Sequence, residues 1–460
     1  MKQLITVRSL LLFLCLFVQV VATEPRRPAA ETETKPGKAP VIVIPGLTGS
    51  ELVNRYTLEK VWFNTSRSKV DDLRLPTAPN FLENRDSLIP GDIIRSLKFV
   101  RFLPEVEIYA RLIDGLQKRG GYEEGNWDKP GKDGDRDKFY VFPYDWRRDN
   151  VENARLLVRQ VEGLKKRLGK PDLKFNIVAH SMGGLISRYA AMYGDAELPL
   201  RNPKPTWSGA RHFDKIFLVG TPNDGSVLSF KAMLTGYSYG GGGLNLPFIQ
   251  DIDRYDVFTI PAAYQLLPQT GSFVFYGEDL KPIEVDLFDP GTWESYGWAI
   301  WQDENFEKRF SPLEQRNAKS FFEAALDRAK RFHEALDASG TRNIPVSMYL
   351  IGGDCKDTLG AVMLMRDEKE NQWKPIFEAN SFTRSNGEKV SADVITPLLY
   401  TKGDGVVTKA SLSSVAAAEN GNKNVLPVGE LYHCEGHTRL VTNPEIQDKL
   451  LDWLAGTPVK

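Results

Sequence analysis

Residues 173–189 constrain the fold more than any other stretch, because they must pass from strand to helix within a single turn. They read Leu-Lys-Phe-Asn-Ile-Val-Ala-His-Ser-Met-Gly-Gly-Leu-Ile-Ser-Arg-Tyr. Residues 175–179 are a short run with β-branched Ile177 and Val178, the pattern of a buried strand. Leu185, Ile186, Tyr189 and Ala190 then recur at helical spacing. Ser181 stands at the turn, with Ala179 and Gly183 two positions to either side and Gly184 beyond. In a G-x-S-x-G turn of this kind the serine is strained and its Oγ exposed. Larger side chains two positions away would collide with the neighbouring strand and helix. Ser181 is therefore a candidate nucleophile, and the N–H of Met182, first in the helix, a candidate oxyanion donor. The competing reading, a serine that merely ends a strand, leaves the following helix unexplained.

The same alternation runs through the first half of the chain. Residues 39–45, 138–142 and 214–220 read as buried strands; 104–119 and 151–168 read as amphipathic helices. Strands alternating with helices argue for a parallel α/β sheet. The first strand runs into Gly46-Leu47-Thr48-Gly49-Ser50, a glycine-bearing loop where a second oxyanion donor belongs. The N–H of Leu47 is the candidate, a plain glycine turn the alternative. Residues 52–103 are irregular and read as a small subdomain. The alternation stops over 227–343, which reads as a cap inserted above the site. Within the cap, 318–336 is a long helix, and Trp293, Trp298 and Trp301 cluster among other aromatics. Residues 237–248 combine Gly240 to Gly243 with Tyr237, Tyr239, Leu244, Leu246 and Phe248, and read either as a lid or as a plain glycine loop. The sheet resumes with strands at 344–351 and 425–432, and a helix at 444–454 closes the fold. The expected organisation is thus a core of 40–226 and 344–460 around a cap of 227–343.

The first 22 residues stand apart. Lys2 and Arg8 precede an apolar run ending at Val20-Val21-Ala22, the pattern of a cleaved export signal. Residues 23–39, rich in Pro, Glu, Thr and Lys, read as a disordered leader. The expected location is the periplasm, the outside of the cell or an endomembrane lumen. Past the signal only Cys355 and Cys434 remain; in an exported chain they read either as a bridge or as two separate buried thiols. The net charge of −1 creates no field that would draw nucleic acid or an anionic membrane. There is no C-x-x-C, H-E-x-x-H or Ca²⁺-loop pattern, so neither metal nor cofactor is indicated. Asn64-Thr65-Ser66 is a glycosylation sequon with meaning only in a eukaryotic secretory route.

An activated serine needs a histidine to take its proton and a carboxylate to hold that histidine, in chain order Ser, acid, His on this fold. His433 and His437 both follow the last strand. His437 is preferred because His433 lies too close to the strand end. His180, beside the nucleophile, is expected to point away from the site. Asp404, between Gly403 and Gly405, is the preferred acid; Asp354 and Asp357, just beyond the 344–351 strand, compete.

With these residues in place the chain resembles the lecithin:cholesterol acyltransferase family, which includes lysosomal phospholipase A2 and phospholipid:diacylglycerol acyltransferase. The resemblance rests on Val43-Ile44-Pro45-Gly46 with Gly49 and Trp62, Pro143-Tyr144-Asp145-Trp146-Arg147, Ala179-His180-Ser181-Met182-Gly183, Gly220-Thr221-Pro222 with Gly225-Ser226, Gly403-Asp404-Gly405 with Val407, and His437 with Val441. It implies an α/β-hydrolase core with a cap and lid, and acyl transfer from a lipid ester. In that scheme Ser181 is nucleophile, Asp404 acid and His437 base, with Leu47 and Met182 as oxyanion donors. Tyr144 to Arg147 support the floor of the site, and Asp145 with Arg147 or Arg148 reads as a structural ion pair. The chain lacks the family's small disulfide loop near Trp62, and Cys355 and Cys434 do not clearly reproduce its second bridge. The implied substrate is a lipid or membrane-surface ester, with water or an alcohol as acyl acceptor; the sequence leaves protein partners unknown. A secreted esterase or depolymerase, and a non-catalytic lipid-binding homologue, are the rival readings.

Overall fold

The computed structural model describes residues 37–64, 73–97, 106–237, 252–338, 344–367, 372–384, 386–415 and 427–456. The expected export signal, residues 23–36 of the leader, and Tyr239, Leu244 and Phe248 of the expected lid lie outside the described residues.

Seven strands form one sheet: β1 (Val41–Ile44), β2 (Glu123–Glu124), β3 (Lys138–Val141), β4 (Phe175–His180), β5 (Phe213–Val219), β6 (Ser347–Gly353) and β7 (Gly429–His433). Their order is β7-β6-β5-β4-β1-β3-β2, and every neighbouring pair is parallel. This is the parallel α/β sheet that the alternation predicts, in the α/β-hydrolase arrangement that the resemblance implies. β1 and β4 are buried along their whole length, as in a parallel sheet covered by helices on both faces. The chain begins at β1, fills one side of it, then crosses to β4 on the other side. The strand order therefore reverses between β1 and β4. At such a reversal the loops leaving the carboxyl ends of the strands diverge and open a crevice. The two loops here are the Gly46 turn and the Ser181 turn.

The flanking helices have clear stops. Helix α1 (Asn150–Leu168) is capped by Asp149, which accepts from the Glu152 N–H, and ends at left-handed Gly169 (φ 65°). Helix α2 (Met182–Tyr193) follows the serine turn. Helix α3 (Pro312–Asp337) opens with a reciprocal Ser311–Glu314 cap and is longer than its apolar spacing indicated. It lies on α2, where Arg188 and the Tyr193 hydroxyl donate to the carbonyls of Leu336 and Ala335 at 2.8 Å each. Helix α4 (Pro444–Leu454) closes the chain. Among the described residues no helix is long and apolar enough to cross a membrane.

Two stretches depart from the sequence expectation. Residues 106–119 do not form one helix: a short strand (Val106–Glu107) pairs with Ser96–Leu97, and a helical turn (Ala110–Asp114) widens into a π-type turn (Gly115–Arg119). Gly115 lets the turn approach α4, where a Cβ would stand 2.7 Å from Gln447 Oε1. Nor is the segment after β6 all core. Ala361–Asp367 pairs with Val274–Tyr276 of the expected cap and with Gln372–Ile376, so the four-stranded second sheet draws on both stretches of chain. Phe230, on the helix Val227–Thr235, fastens it: its ring stacks edge-on against Phe275, Trp293, Trp298 and Phe377 at 5.0–5.8 Å.

Under β1, Arg147 is fully buried and forks onto Asp145 (2.8 and 3.0 Å) and Asp86 (2.6 and 3.0 Å), with a further bond to the Leu73 carbonyl at 3.3 Å. Removing one member of a buried pair leaves the other charge without compensation. Arg147→Met is expected to cost roughly 3–5 kcal/mol of folding stability. Chemical denaturation of the variant measures it, and a loss below about 1 kcal/mol would show that the network is dispensable.

Candidate active site

Ser181 occupies φ 54°, ψ −127°, a conformation that a side-chain-bearing residue adopts only when its surroundings impose it. Two neighbours do so. Its N–H donates to the Val219 carbonyl at the end of β5, at 2.8 Å. A Cβ on Gly183 would meet the Pro45 carbonyl oxygen at 2.6 Å, which is the collision the small residues avoid. The β1 loop comes equally close: a Cβ on Gly46 would lie 2.7 Å from Ser181 Cβ. Any larger residue at 46 would push the loop off the serine.

That loop is a tight turn in which the Gly49 N–H donates to the Gly46 carbonyl at 3.0 Å and Thr48 takes φ 60°. Leu47 is its second residue, and Met182 is the first residue of α2, whose opening N–H groups have no partner within the helix. Both loops that carry the candidate oxyanion donors thus meet at Ser181. The Tyr-Asp-Trp-Arg segment braces the turn from below. The Tyr144 hydroxyl donates to the Pro45 carbonyl at 2.8 Å and the Trp146 indole to the Ser50 carbonyl at 3.2 Å. Trp62, packed edge-on to Trp146 at 5.4 Å, donates to the Thr48 carbonyl at 2.9 Å. Asp145 and Arg147 sit behind these contacts and do not reach the serine turn by any hydrogen bond among the described residues.

Asp404 and His437 meet at the other wall. His437 Nδ1 lies 2.7 Å from Asp404 Oδ2, and the His437 N–H donates to the Asp404 carbonyl at 2.9 Å. Asp404 Oδ1 accepts from the Val406 and Val407 N–H groups at 2.9 and 2.7 Å. Burial of this carboxyl pushes its pKa up, but His437 and the two N–H groups outweigh burial and hold it below the ordinary carboxylate range. The pair stands over Gly220, where a Cβ would lie 3.1 Å from both Asp404 Oδ2 and His437 Nδ1. Gly220 directly follows Val219, which holds the Ser181 N–H, so serine, acid and histidine gather around the end of β5. Among the described residues Ser181 Oγ makes no hydrogen bond. The competing residues lie elsewhere: His433 pairs with Glu445 at 3.0 Å, and Asp357 is exposed and paired with Lys402 at 2.9 Å. Asp354 is 4.0 Å from Lys409.

Cys355 and Cys434 form a disulfide with Cα atoms 5.0 Å apart. Parallel β6 and β7 are neighbours, with Gly353 opposite His433, so both cysteines leave the sheet at the same edge. Cys434 lies three residues before His437 and pins its loop.

His180 does not point away from the site. Its ring packs 4.8 Å from that of His437, with Nε2 3.1 Å from the His437 carbonyl and Nδ1 2.9 Å from the Tyr109 hydroxyl. The expectation failed because the ring, at the end of β4, finds hydrogen-bond partners in Tyr109 and the His437 carbonyl. Tyr109, inside the expected helix of 104–119, instead stands at the start of the shorter helical turn and turns its hydroxyl inwards. A hydroxyl at a core position was the only signal available for it. Of the expected lid, Tyr237 is described: it is half-buried, exchanges both backbone hydrogen bonds with Ile252, and adds to the rise in the Tyr109 pKa. No group of three or more His, Cys, Asp or Glu placed to hold a metal occurs among the described residues.

Three histidines are buried without charge. Burial lowers the pKa of His180 to about 3, and of His212 and His333 to about 4. Because these folded values lie below the unfolded one, near 6.5, the unfolded chain takes up protons first as the pH falls. Stability is therefore expected to drop from about pH 6.5 downwards, by up to about 1.4 kcal/mol per pH unit for each histidine. The contributions of His212 and His333 are spent near pH 4, and that of His180 near pH 3. Denaturant midpoints measured from pH 7 to pH 4.5 test this, and a flat profile would contradict it.

The family model described as lecithin:cholesterol acyltransferase matches residues 131–329, a stretch that holds the Tyr-Asp-Trp-Arg segment and Ser181 but ends before Asp404 and His437. The chain is similar in structure to a protein solved as the Tle4-Tli4 complex, with TM-score 0.54, 14% identity and coverage of 91% of this chain and 98% of that one. It is also similar to the lipase BlEst2 of Bacillus licheniformis in mature form, with TM-score 0.33, 12% identity and coverage of 91% and 93%. A third is phospholipase PlaB of Legionella pneumophila, with TM-score 0.25, 12% identity and coverage of 68% and 39%. No curated protein matches the chain. The seven-stranded parallel sheet with the serine turn at its switch point is an α/β-hydrolase fold, and residues 131–329 within it are similar to the lecithin:cholesterol acyltransferase family.

Proposed function

We propose that the protein is a serine-dependent lipid acyl hydrolase or O-acyltransferase. The observation that carries this reading is the Asp404–His437 pair, at 2.7 Å, held beside a strained serine against which the Gly46 turn is packed. In the proposed reaction Ser181 Oγ attacks the carbonyl of a lipid ester while His437 Nε2 takes its proton. The N–H groups of Leu47 and Met182 hold the oxyanion, and Asp404 stabilises the imidazolium. His437 returns the proton to the departing alcohol, leaving an acyl-serine. Water or an alcohol, deprotonated in turn by His437, removes the acyl group.

The family match over residues 131–329 supports a lipid ester as donor. Export through residues 1–22 is part of the reading, and the Cys355–Cys434 bridge supports an oxidising compartment. The test is incubation with defined phospholipid vesicles, with and without a long-chain alcohol, followed by identification of the products. Lysophospholipid with free fatty acid marks a hydrolase, and lysophospholipid with a new ester marks a transferase. Turnover confined to soluble short-chain esters would replace the lipid reading with that of a secreted esterase. No turnover, together with no labelling of Ser181 by a fluorophosphonate, would leave a non-catalytic homologue.

A further inference from the structure

We propose that Tyr109 and His180 are positioning residues that tie the oxyanion turn to the loop of the base, and so set the distance between the two halves of the site. The proposal rests on the reading of Ser181, Asp404 and His437 given above.

Every proton in the connection is assigned by chemistry. The His437 carbonyl only accepts, so His180 Nε2, 3.1 Å away, carries the hydrogen. His180 is buried and neutral, so its Nδ1 is then an acceptor, and the Tyr109 hydroxyl at 2.9 Å must donate to it. The same hydroxyl oxygen is left to accept, and it does so from the Gly46 N–H at 2.8 Å. Burial also keeps the phenol well above its ordinary pKa, so it stays a donor. One unbroken donor-to-acceptor chain thus runs from Gly46 through Tyr109 and His180 to His437, and aligned bonds of this kind polarise one another.

Its two ends fall where the proposed chemistry needs precision. Gly46 has its N–H fixed by Tyr109 and its carbonyl fixed by the Gly49 N–H at 3.0 Å. The Gly46–Leu47 peptide is planar, so fixing that carbonyl also sets the direction of the Leu47 N–H. His437 has its N–H held by the Asp404 carbonyl and its carbonyl held by His180. Nδ1 is held by Asp404, which leaves Nε2 of the ring for the serine and substrate. The Gly46 turn follows β1 and the His437 loop follows β7; the Tyr109–His180 link spans the distance between them. A phenylalanine at 109 or 180 would fill the same space and leave the Gly46 N–H or the His437 carbonyl without a partner.

The experiment measures kcat and KM on p-nitrophenyl butyrate for Tyr109→Phe, His180→Phe, the double variant and His180→Gln, with Ser181→Ala in parallel and melting curves for all. A misplacement of about 1 Å costs roughly 100-fold in rate. Each Phe variant is therefore expected to lose about 10- to 100-fold in kcat with KM within about threefold. The double variant should be no worse than the poorer single one, because either change cuts the same chain. His180→Gln keeps a donor for the His437 carbonyl and should recover most of the loss seen in His180→Phe. Phe variants that retain kcat, losses that multiply in the double variant, or no rescue by Gln would overturn the proposal. If Tyr109→Phe does not fold, the His180→Phe and His180→Gln pair decides alone. An active Ser181→Ala protein would overturn the underlying reading; an inactive one beside unaffected Phe variants would sink only the link.

Discussion

Ser181→Ala is expected to lower turnover of a phospholipid or of a soluble ester by about three orders of magnitude or more. The variant removes the only atom that forms the acyl bond in the proposed reaction. It leaves the turn itself intact, because the strained backbone at φ 54° is imposed by the Val219 carbonyl and the close approach of Gly46 and Gly183. Folding is therefore expected to change little, so the melting curve separates loss of chemistry from loss of structure. Residual catalysis from the oxyanion donors and substrate binding is expected to remain above the uncatalysed rate. A folded Ser181→Ala protein with near-normal activity would reject the nucleophile and the acyl-enzyme route with it.

Asp404→Asn is expected to be comparably damaging, on the order of 10⁴ in kcat by analogy with other triads. An amide at this place has two consequences. It loses the charge that stabilises the imidazolium, and it presents an N–H₂ group either to His437 Nδ1 or to the Val406 and Val407 N–H groups that now donate to Oδ1. If the amide nitrogen faces His437, the ring is pushed to the wrong tautomer. If it faces the backbone, two N–H donors are left opposed by a third. Asp354→Asn and Asp357→Asn serve as controls. Neither side chain is hydrogen-bonded to Ser181, Asp404 or His437 among the described residues: Asp357 pairs with Lys402 at 2.9 Å, and Asp354 lies 4.0 Å from Lys409. Their turnover is expected to stay within about threefold of the parent, since exposed pairs of this kind contribute little. Greater sensitivity at 354 or 357 than at 404 would show that the acid has been misassigned.

What was legible in the sequence divides along physical lines. The inner sheet was legible because its strands are buried on both faces and leave continuous runs such as Val41 to Ile44, whereas the exposed edge strand Glu123–Glu124 leaves no such run. Ser181, Asp404 and His437 were brought out by chain order and by glycines that mark close approach, and these signals are local. The second sheet was not legible. Ala361–Asp367 and Val274–Tyr276 are far apart in sequence, and nothing in either strand names its partner. Tyr109 and His180 failed for a related reason. A tyrosine at a core position and a histidine after a strand both carry an ordinary meaning, and only the crossing of three loops gives them another. The widened turn at Gly115 was hidden in the same way, since Gln447, against which Gly115 packs, lies far along the chain.

The bridge between Cys355 and Cys434 closes a covalent ring spanning 79 positions of the chain. The strands Ala361–Asp367 and Gln372–Ile376 and the acid Asp404 are inside that ring, and His437 is just outside it. A protease that cuts one peptide bond within the ring therefore yields two pieces that cannot separate: the acid stays on one side of the cut or the other, still tethered at the base of the histidine loop. On a non-reducing gel such a nicked molecule keeps its full mass. The accessory sheet can also lengthen or shorten within the ring without changing where either cysteine is anchored, because the closure is made at the ends of β6 and β7 and not in the segment between them.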